Sequence, residues 1–165
     1  MLPLNFLKVT YMIDHRDYMV QLAIDNKWKR GIELGVGTGM MYHKLLANTE
    51  LTMIGVDLGL RPHRRGRVEE IHDSFPGRSI MHFMSTHSAA PLVPNGWADF
   101  VFIDAAHGYA AVKHDIELWQ SKVKPGGWFG GHDYHPKFSG VIKAVNEAFG
   151  DKVLVLDHYI WTVTP

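Results

Sequence analysis

Short apolar runs alternate along the chain with turn residues and then with segments whose apolar positions recur at helical spacing. That is the pattern of an α/β fold with a mostly parallel sheet. Five runs read as strands: GIELG (Gly31 to Gly35), LTMIGVDL (Leu51 to Leu58), RSIMHFM (Arg78 to Met84), ADFVFIDA (Ala98 to Ala105, the most hydrophobic) and GGWFGGHD (Gly126 to Asp133). Asp14 reads as the N-cap of a first helix running to about Lys27, with Tyr18, Met19, Leu22 and Ala23 as its apolar stripe. Another helix begins near Met40. Between the fourth and fifth strands, Tyr109, Val112, Ile116, Trp119 and Val123 define one helical face, which stops before Lys124-Pro125-Gly126-Gly127. A last helix from about Ser139 to Phe149 carries Val141, Ile142, Val145 and Phe149. The segments KVLVLD and YIWTVT close the chain, and their link through Asp157 and His158 is too short for a helical crossover, so they are expected to pair as an antiparallel hairpin.

Composition narrows the class of protein. The 165 residues contain no internal repeat, low-complexity tract or linker, which predicts a single domain over 1–165: an N-terminal helical segment (1–29) and a core (30–165). The 17 Lys and Arg balance 17 Asp and Glu, which argues against a nucleic-acid backbone or an anionic membrane as main partner, although 11 His would make the chain basic in mild acid. No stretch approaches the ~18 apolar residues of a membrane span, and the first residues lack the basic start and long apolar run of a secretory signal. With no Cys the chain builds neither disulfides nor thiolate metal sites, and a cytoplasmic location is expected.

The first strand runs into Glu33-Leu34-Gly35-Val36-Gly37-Thr38-Gly39. Glycines here let the chain turn tightly and bring bare backbone against a ligand. The spacing is G-x-G-x-G, not the G-x-G-x-x-G of a dinucleotide site, and no Gly-Lys-Ser/Thr follows as in a P-loop. Asp57 ends the second strand 24 residues after Glu33, where a carboxylate can accept bonds from both hydroxyls of a ribose. A nucleoside cofactor is the expectation. The bland alternative is a tight turn with Asp57 capping a loop.

Ligands of open α/β sheets bind beyond the carboxyl ends of the strands, so Asp104 after the fourth strand and Asp133 after the fifth should converge if those strands are neighbours. Neighbouring strands lie about 4.8 Å apart, close enough for two carboxylates to share a cation. Aspartate oxygens suit Mg²⁺, Mn²⁺ or Ca²⁺, and a His ligand such as His132 opens the site to transition metals. His107 and His132 are the candidate proton acceptors, with His135 a near neighbour, whereas Tyr109 reads as packing. The alternative is that Asp104 caps a helix and Asp133 fixes a turn.

The E/D-x-G-x-G-x-G turn with a following acid resembles the first two motifs of the class I S-adenosylmethionine-dependent methyltransferases, over about Arg30 to the C-terminus. The stretch DAAHGYAAVKHDIELWQSKVKPGGWFGGHDY is similar to the macrocin O-methyltransferase and cephalosporin hydroxylase-like group, in which D-x-D-H-x-Y and H/D-D motifs bracket a divalent-metal site. The resemblance implies a Rossmann-like, seven-stranded sheet of order 3-2-1-4-5-7-6 with S-adenosylmethionine as cofactor. It places Gly35, Gly37 and Gly39 near the methionine and ribose, Glu33 at the amino group, Asp57 on the ribose, and Met84 and Ser85 near adenine, with Asp104 also at the cofactor. It assigns Asp104, Asp133 and His132 to Mg²⁺ or another divalent cation. The chain departs from the group at Ala106, where many relatives carry a second acid, which leaves metal dependence open.

Arg61, His63, Arg64, Arg65 and Arg67 concentrate positive charge in what reads as a solvated loop containing Pro62 and Gly66, with no interleaved aromatics for base stacking. The expectation is O-methylation of a small-molecule hydroxyl. Acceptor recognition falls to the N-terminal segment, the basic run, the region from His87 to Trp97, or another subunit of a homo-oligomer. Methylation of nitrogen or carbon without metal, and a non-catalytic cofactor-binding module, are the alternatives.

Overall fold

The computed structural model describes residues 14–59 and 61–163. Its seven strands form one sheet in the order β3-β2-β1-β4-β5-β7-β6. They are β1 (Arg30–Leu34), β2 (Thr52–Asp57), β3 (Ser79–Phe83), β4 (Ala98–Ile103), β5 (Val123–Gly131), β6 (Val153–Val155) and β7 (Trp161–Val163). The first five pair in parallel, and β7 runs antiparallel to both β5 and β6. Both the expected strand order and the C-terminal hairpin are therefore present. The hairpin link is a 3₁₀ turn over Asp157–Tyr159, in which His158 and Tyr159 take φ of 60°.

The helices are α1 (His15–Asp25), α2 (Met40–Asn48), α3 (Pro62–Ser74), the short α4 (Thr86–Ala89), α5 (Tyr109–Trp119) and α6 (Ser139–Phe149). They cover both faces of the sheet, which is why the central strands read as continuous apolar runs and every residue of β4 is buried. Successive side chains of β4 point to opposite faces. Val101 and Ile103 pack with Val112, Ile116 and Trp119 of α5 and Val141 and Val145 of α6. Phe100 and Phe102 pack with Met19 and Ala23 of α1, Leu45 of α2 and Val68 of α3. Asp14 caps α1 as expected, its side chain accepting from the backbone N–H groups of Arg16 and Asp17.

Three expectations are corrected. The basic run is not a loop: it forms the first turns of α3, which Pro62 can open because an N-terminal helical residue needs no N–H partner. Its sequence hides the helix because only Val68 and Ile71 are buried, so no apolar stripe is visible. The fifth strand starts at Val123, earlier than Gly126, because Lys124–Gly127 is absorbed as a bulge where the register against β4 shifts and Gly126 takes φ 74°. Finally, α1 stops at Asp25, short of Lys27, whose φ of 54° is incompatible with a continuing helix. The N-terminal residues 1–13, offered as part of the acceptor site, and Thr164 of YIWTVT lie outside the described residues.

Candidate active site

Because β1 is flanked by β2 on one side and β4 on the other, the chain leaves it in opposite directions and a crevice opens at its carboxyl end. Gly35 begins the turn there with φ 87°, and a β-carbon on it would lie 2.1 Å from the backbone oxygen of Asp104. Only glycine lets these segments meet. Gly37 also has positive φ, but the space beside it is open. Its N–H donates to Asp57 Oδ2 at 2.9 Å, and the N–H of Gly59 donates to Asp57 Oδ1 at 2.7 Å. Asp57 thus fixes the glycine turn and the loop after β2 while each oxygen retains a lone pair for another donor. The capping and ligand readings of this residue are compatible.

A cavity of about 600 Å³ fills the crevice, within the ~300–1,000 Å³ usual for small-molecule sites. Gly35, Gly37, Asp57, Met84, Ser85, Asp104 and His107 all line it. Two expected cofactor residues do not. Gly39 turns into α2, and a β-carbon there would lie 2.6 Å from Ile71 Cδ1, so it serves the packing of α2 on α3. Glu33 lies beneath the floor, 3% exposed, with Oε2 lacking a hydrogen-bond partner. Burial, then the charges of Asp104 and Asp57, holds its carboxyl well above the ordinary carboxylate range. Arg61 and Arg64 of the basic run, offered from the sequence for acceptor recognition, line the cavity from the start of α3, and sequence reasoning missed buried Asp115, which accepts from Thr86 Oγ1 at 2.5 Å. Asp115 sits on the same turn as the apolar face of α5 and carried no distinguishing signal.

At the ends of β4 and β5 the expected residues converge. His107 Nε2 lies 2.5 Å from Asp133 Oδ2, and His132 Nδ1 lies 3.2 Å from Asp133 Oδ1 and 3.8 Å from Asp104 Oδ1. Asp133 has φ 63°, a left-handed conformation that Asp tolerates better than most residues and that turns its carboxylate back between the two imidazoles. Burial, then the Asp133 charge, pushes the Asp104 carboxyl up to about 7. Burial draws the His132 imidazole down, against the opposing pull of Asp133. A fifth member comes from α1: His15 stacks on His132 with ring centroids 4.2 Å apart, and burial, then His132, lowers it to about 4. Ligand atoms of Asp104, His107 and Asp133, and separately of His15, Asp104 and His132, lie within 4.8 Å of one another. His135 stays outside this group, packed edge-on to Tyr159. Tyr109 donates from its hydroxyl to Glu147 at 2.6 Å, tying α5 to α6 as a packing residue does.

The same architecture recurs in solved structures. An O-methyltransferase from Bacillus cereus in complex with SAH superposes with a TM-score of 0.72 at 13% identity, over 99% of this chain and 84% of that one. The SAH-bound methyltransferase PaMTH1 of Podospora anserina gives 0.71 at 16% identity, over 91% and 77%. The SAM-bound O-methyltransferase TomG of Streptomyces achromogenes, involved in tomaymycin synthesis, gives 0.66 at 14% identity, over 91% and 79%. No curated protein matches the sequence. Fold and crevice together define a class I S-adenosylmethionine-dependent methyltransferase. A family model described as a methyltransferase domain matches residues 30–134, and the chain belongs to that family.

The residues present fit the groups this class implies. The space beside Gly37 and the spare lone pairs of Asp57 suit an adenosyl group. The donor set of two carboxylates and neighbouring imidazoles suits a divalent cation. Among the described residues no helix is long and apolar enough to cross a membrane.

Proposed function

We propose that this enzyme transfers a methyl group from S-adenosylmethionine to a hydroxyl oxygen of a small molecule, with a divalent cation held at Asp104, Asp133 and His132. The observation that carries the reading is the continuity of the crevice: one cavity runs from Asp57 and the glycine turn to Asp104 and His107, the near edge of the His–Asp cluster. S-adenosylmethionine supplies an electrophilic methyl on a sulfonium. A divalent cation would lower the pKa of an acceptor hydroxyl and orient it.

The protein's own part is positioning and proton handling. Asp57 accepts the ribose hydroxyls, Gly35 and Gly37 leave room for the ligand against bare backbone, and Met84 and Ser85 face the adenine. Glu33, beneath the floor with its carboxyl held well above the ordinary range, would be drawn to ionise by the amino group of the methionine portion when that group binds over the turn. Contact with Asp133 assigns the His107 proton to Nε2, leaving Nδ1 as the nitrogen that accepts the acceptor's proton. The cofactor end presents the methyl and the His–Asp end takes the proton, both acting on the same acceptor oxygen held between them.

The test combines calorimetric binding of S-adenosylhomocysteine with transfer of labelled methyl to a panel of hydroxylated acceptors, before and after chelation. Binding, transfer to oxygen and loss of turnover on chelation are expected. Absent binding by folded protein would sink the whole reading, and turnover indifferent to chelation would sink the metal component.

A further inference from the structure

Building on the proposed cation site, we infer that His15 of α1 is a fourth metal ligand and that the centre selects a nitrogen-seeking transition ion such as Zn²⁺ or Co²⁺ over Mg²⁺. The observations begin with how α1 is held. Met19 is fully buried and Ala23 is 2% exposed against the sheet, the Lys44 ammonium of α2 pairs with Asp17, and Asp14 caps the first turn. His15, the first residue of the helix, is therefore delivered to a fixed place over the ends of β4 and β5, stacked on His132.

The distance from His132 to Asp133 is that of two ligands about one ion, and Asp104 and His15 stand slightly farther out. Atoms bound at roughly 2.0–2.2 Å in tetrahedral or octahedral geometry stand roughly 3–3.5 Å from one another. His132 Nδ1 is 3.2 Å from Asp133 Oδ1 and 3.8 Å from Asp104 Oδ1, and His15 offers a nitrogen within 4.8 Å of both Asp104 and His132. The other oxygen of Asp133 is engaged by His107, which leaves that imidazole as an orienting partner and not a ligand. The set that converges is the two imidazoles of His15 and His132 and the Asp104 carboxylate, with Asp133 Oδ1 beside His132. Mg²⁺ prefers all-oxygen octahedra and retains its waters, whereas imidazole suits Zn²⁺, Co²⁺ and their neighbours. A chain built to hold Mg²⁺ gains nothing from two histidines converging on its carboxylates.

One consequence reaches beyond the choice of ion. His15 brings the first turn of α1 to the ends of β4 and β5, so an ion bound there would add a tie between that helix and the sheet to the packing of Met19 and Ala23. Calorimetric titration of the full, metal-stripped chain with ZnCl₂, CoCl₂ and MgCl₂ tests the inference, alongside the visible absorption of the Co²⁺ form. The wild type should bind Zn²⁺ and Co²⁺ at least roughly a hundredfold more tightly than Mg²⁺. His15→Ala should weaken Zn²⁺ by at least the ~10–100-fold lost when even a residue behind the ligands is removed, and should alter the Co²⁺ spectrum. His15→Gln, which keeps a polar group without the imidazole, should bind Zn²⁺ as poorly as His15→Ala, and circular dichroism should show both variants folded.

Unchanged Zn²⁺ affinity and Co²⁺ spectrum in both His15 variants, with binding abolished by Asp104→Ala, would overturn the role of His15 and leave the Asp104–Asp133–His132 site standing. Zn²⁺ binding indifferent to Asp104→Ala, Asp133→Ala and His15→Ala alike would overturn both. A wild type that prefers Mg²⁺ would overturn the ion selectivity.

Discussion

The two ends of the crevice are built by different means. The end beside β1 and β2 is made mostly of backbone: a glycine turn pinned by the Asp57 carboxylate, with two N–H groups fixing that carboxylate in place. The end beside β4 and β5 is made of side chains from three distant stretches: Asp104 and His107, His132 and Asp133, and His15. The first is preorganised by covalent geometry. The second depends on long-range packing that crowds two carboxylates together, and burial, then the Asp133 charge, holds the Asp104 carboxyl up. One end is thus set for a ligand whose contacts do not vary, the other for proton exchange and for the proposed cation.

The strongest way to break the comparison is at Gly35. A β-carbon there meets the backbone oxygen of Asp104, with no flexible side chain to yield, and φ 87° is strained for any other residue. Gly35→Ala is expected to cost more than about 4 kcal/mol in chemical denaturation and to abolish S-adenosylhomocysteine binding by the folded fraction. A stable variant with intact binding would show that the turn is not a rigid cradle. Asp57→Ala comes next. It leaves two N–H groups without their charged acceptor, each such bond being worth roughly 1.5–3 kcal/mol, and removes the proposed ribose contact. Calorimetry should show cofactor affinity falling by at least roughly a hundredfold with divalent-ion affinity preserved.

The reciprocal experiment is Asp133→Asn. It keeps the side-chain volume and removes the charge that orients His107 and His132. Zn²⁺ or Mn²⁺ affinity should fall by about 10–100-fold while S-adenosylhomocysteine affinity stays within about twofold of wild type. Equal losses of both would mean that the two ends form a single unit.

This contrast also explains what could be read from the sequence. The glycine turn and Asp57 were legible because their geometry is local: the chemistry needs particular residues at fixed spacing, and chain order supplies it. Asp104, His107, His132 and Asp133 were legible once adjacent parallel strands were inferred, since a register places strand ends side by side. His15 was not, because it approaches across more than a hundred residues of sequence, on a helix whose docking is decided by Met19 and Ala23 and not by any chemical pattern. The α3 helix was hidden for another reason: polar residues cover most of its circumference, so its periodicity carries little contrast. Gly39 matched a cofactor motif and also lies against Ile71, a contact between helices that spacing along one of them cannot display.

Glu33 sharpens the comparison, because it lies beneath both ends and feels both. Burial raises its carboxyl most, followed by the charges of Asp104 and then Asp57, one from each end of the crevice. With Oε2 unpartnered, the ionised form is poorly tolerated in the folded chain. Because the folded-state pKa is raised, the stabilisation is complete below the unfolded value of 4.5 and is lost as pH rises through the folded value. Glu33→Gln removes that loss. Its advantage over wild type should be near zero at pH 4 and should grow to the order of 1 kcal/mol as pH rises through neutrality, measured by urea unfolding at a series of pH values. An ammonium bound over the turn would favour the ionised form of Glu33, so the same substitution, which cannot ionise, should lower cofactor affinity as stability rises. A variant with a flat stability difference across pH would mean that folding leaves the Glu33 pKa at its unfolded value, so that burial does not disfavour the ionised form. A stabilised variant with weakened cofactor binding would identify Glu33 as a buried carboxyl kept for function at the expense of the fold, coupled by charge to Asp57 at one end of the crevice and Asp104 at the other.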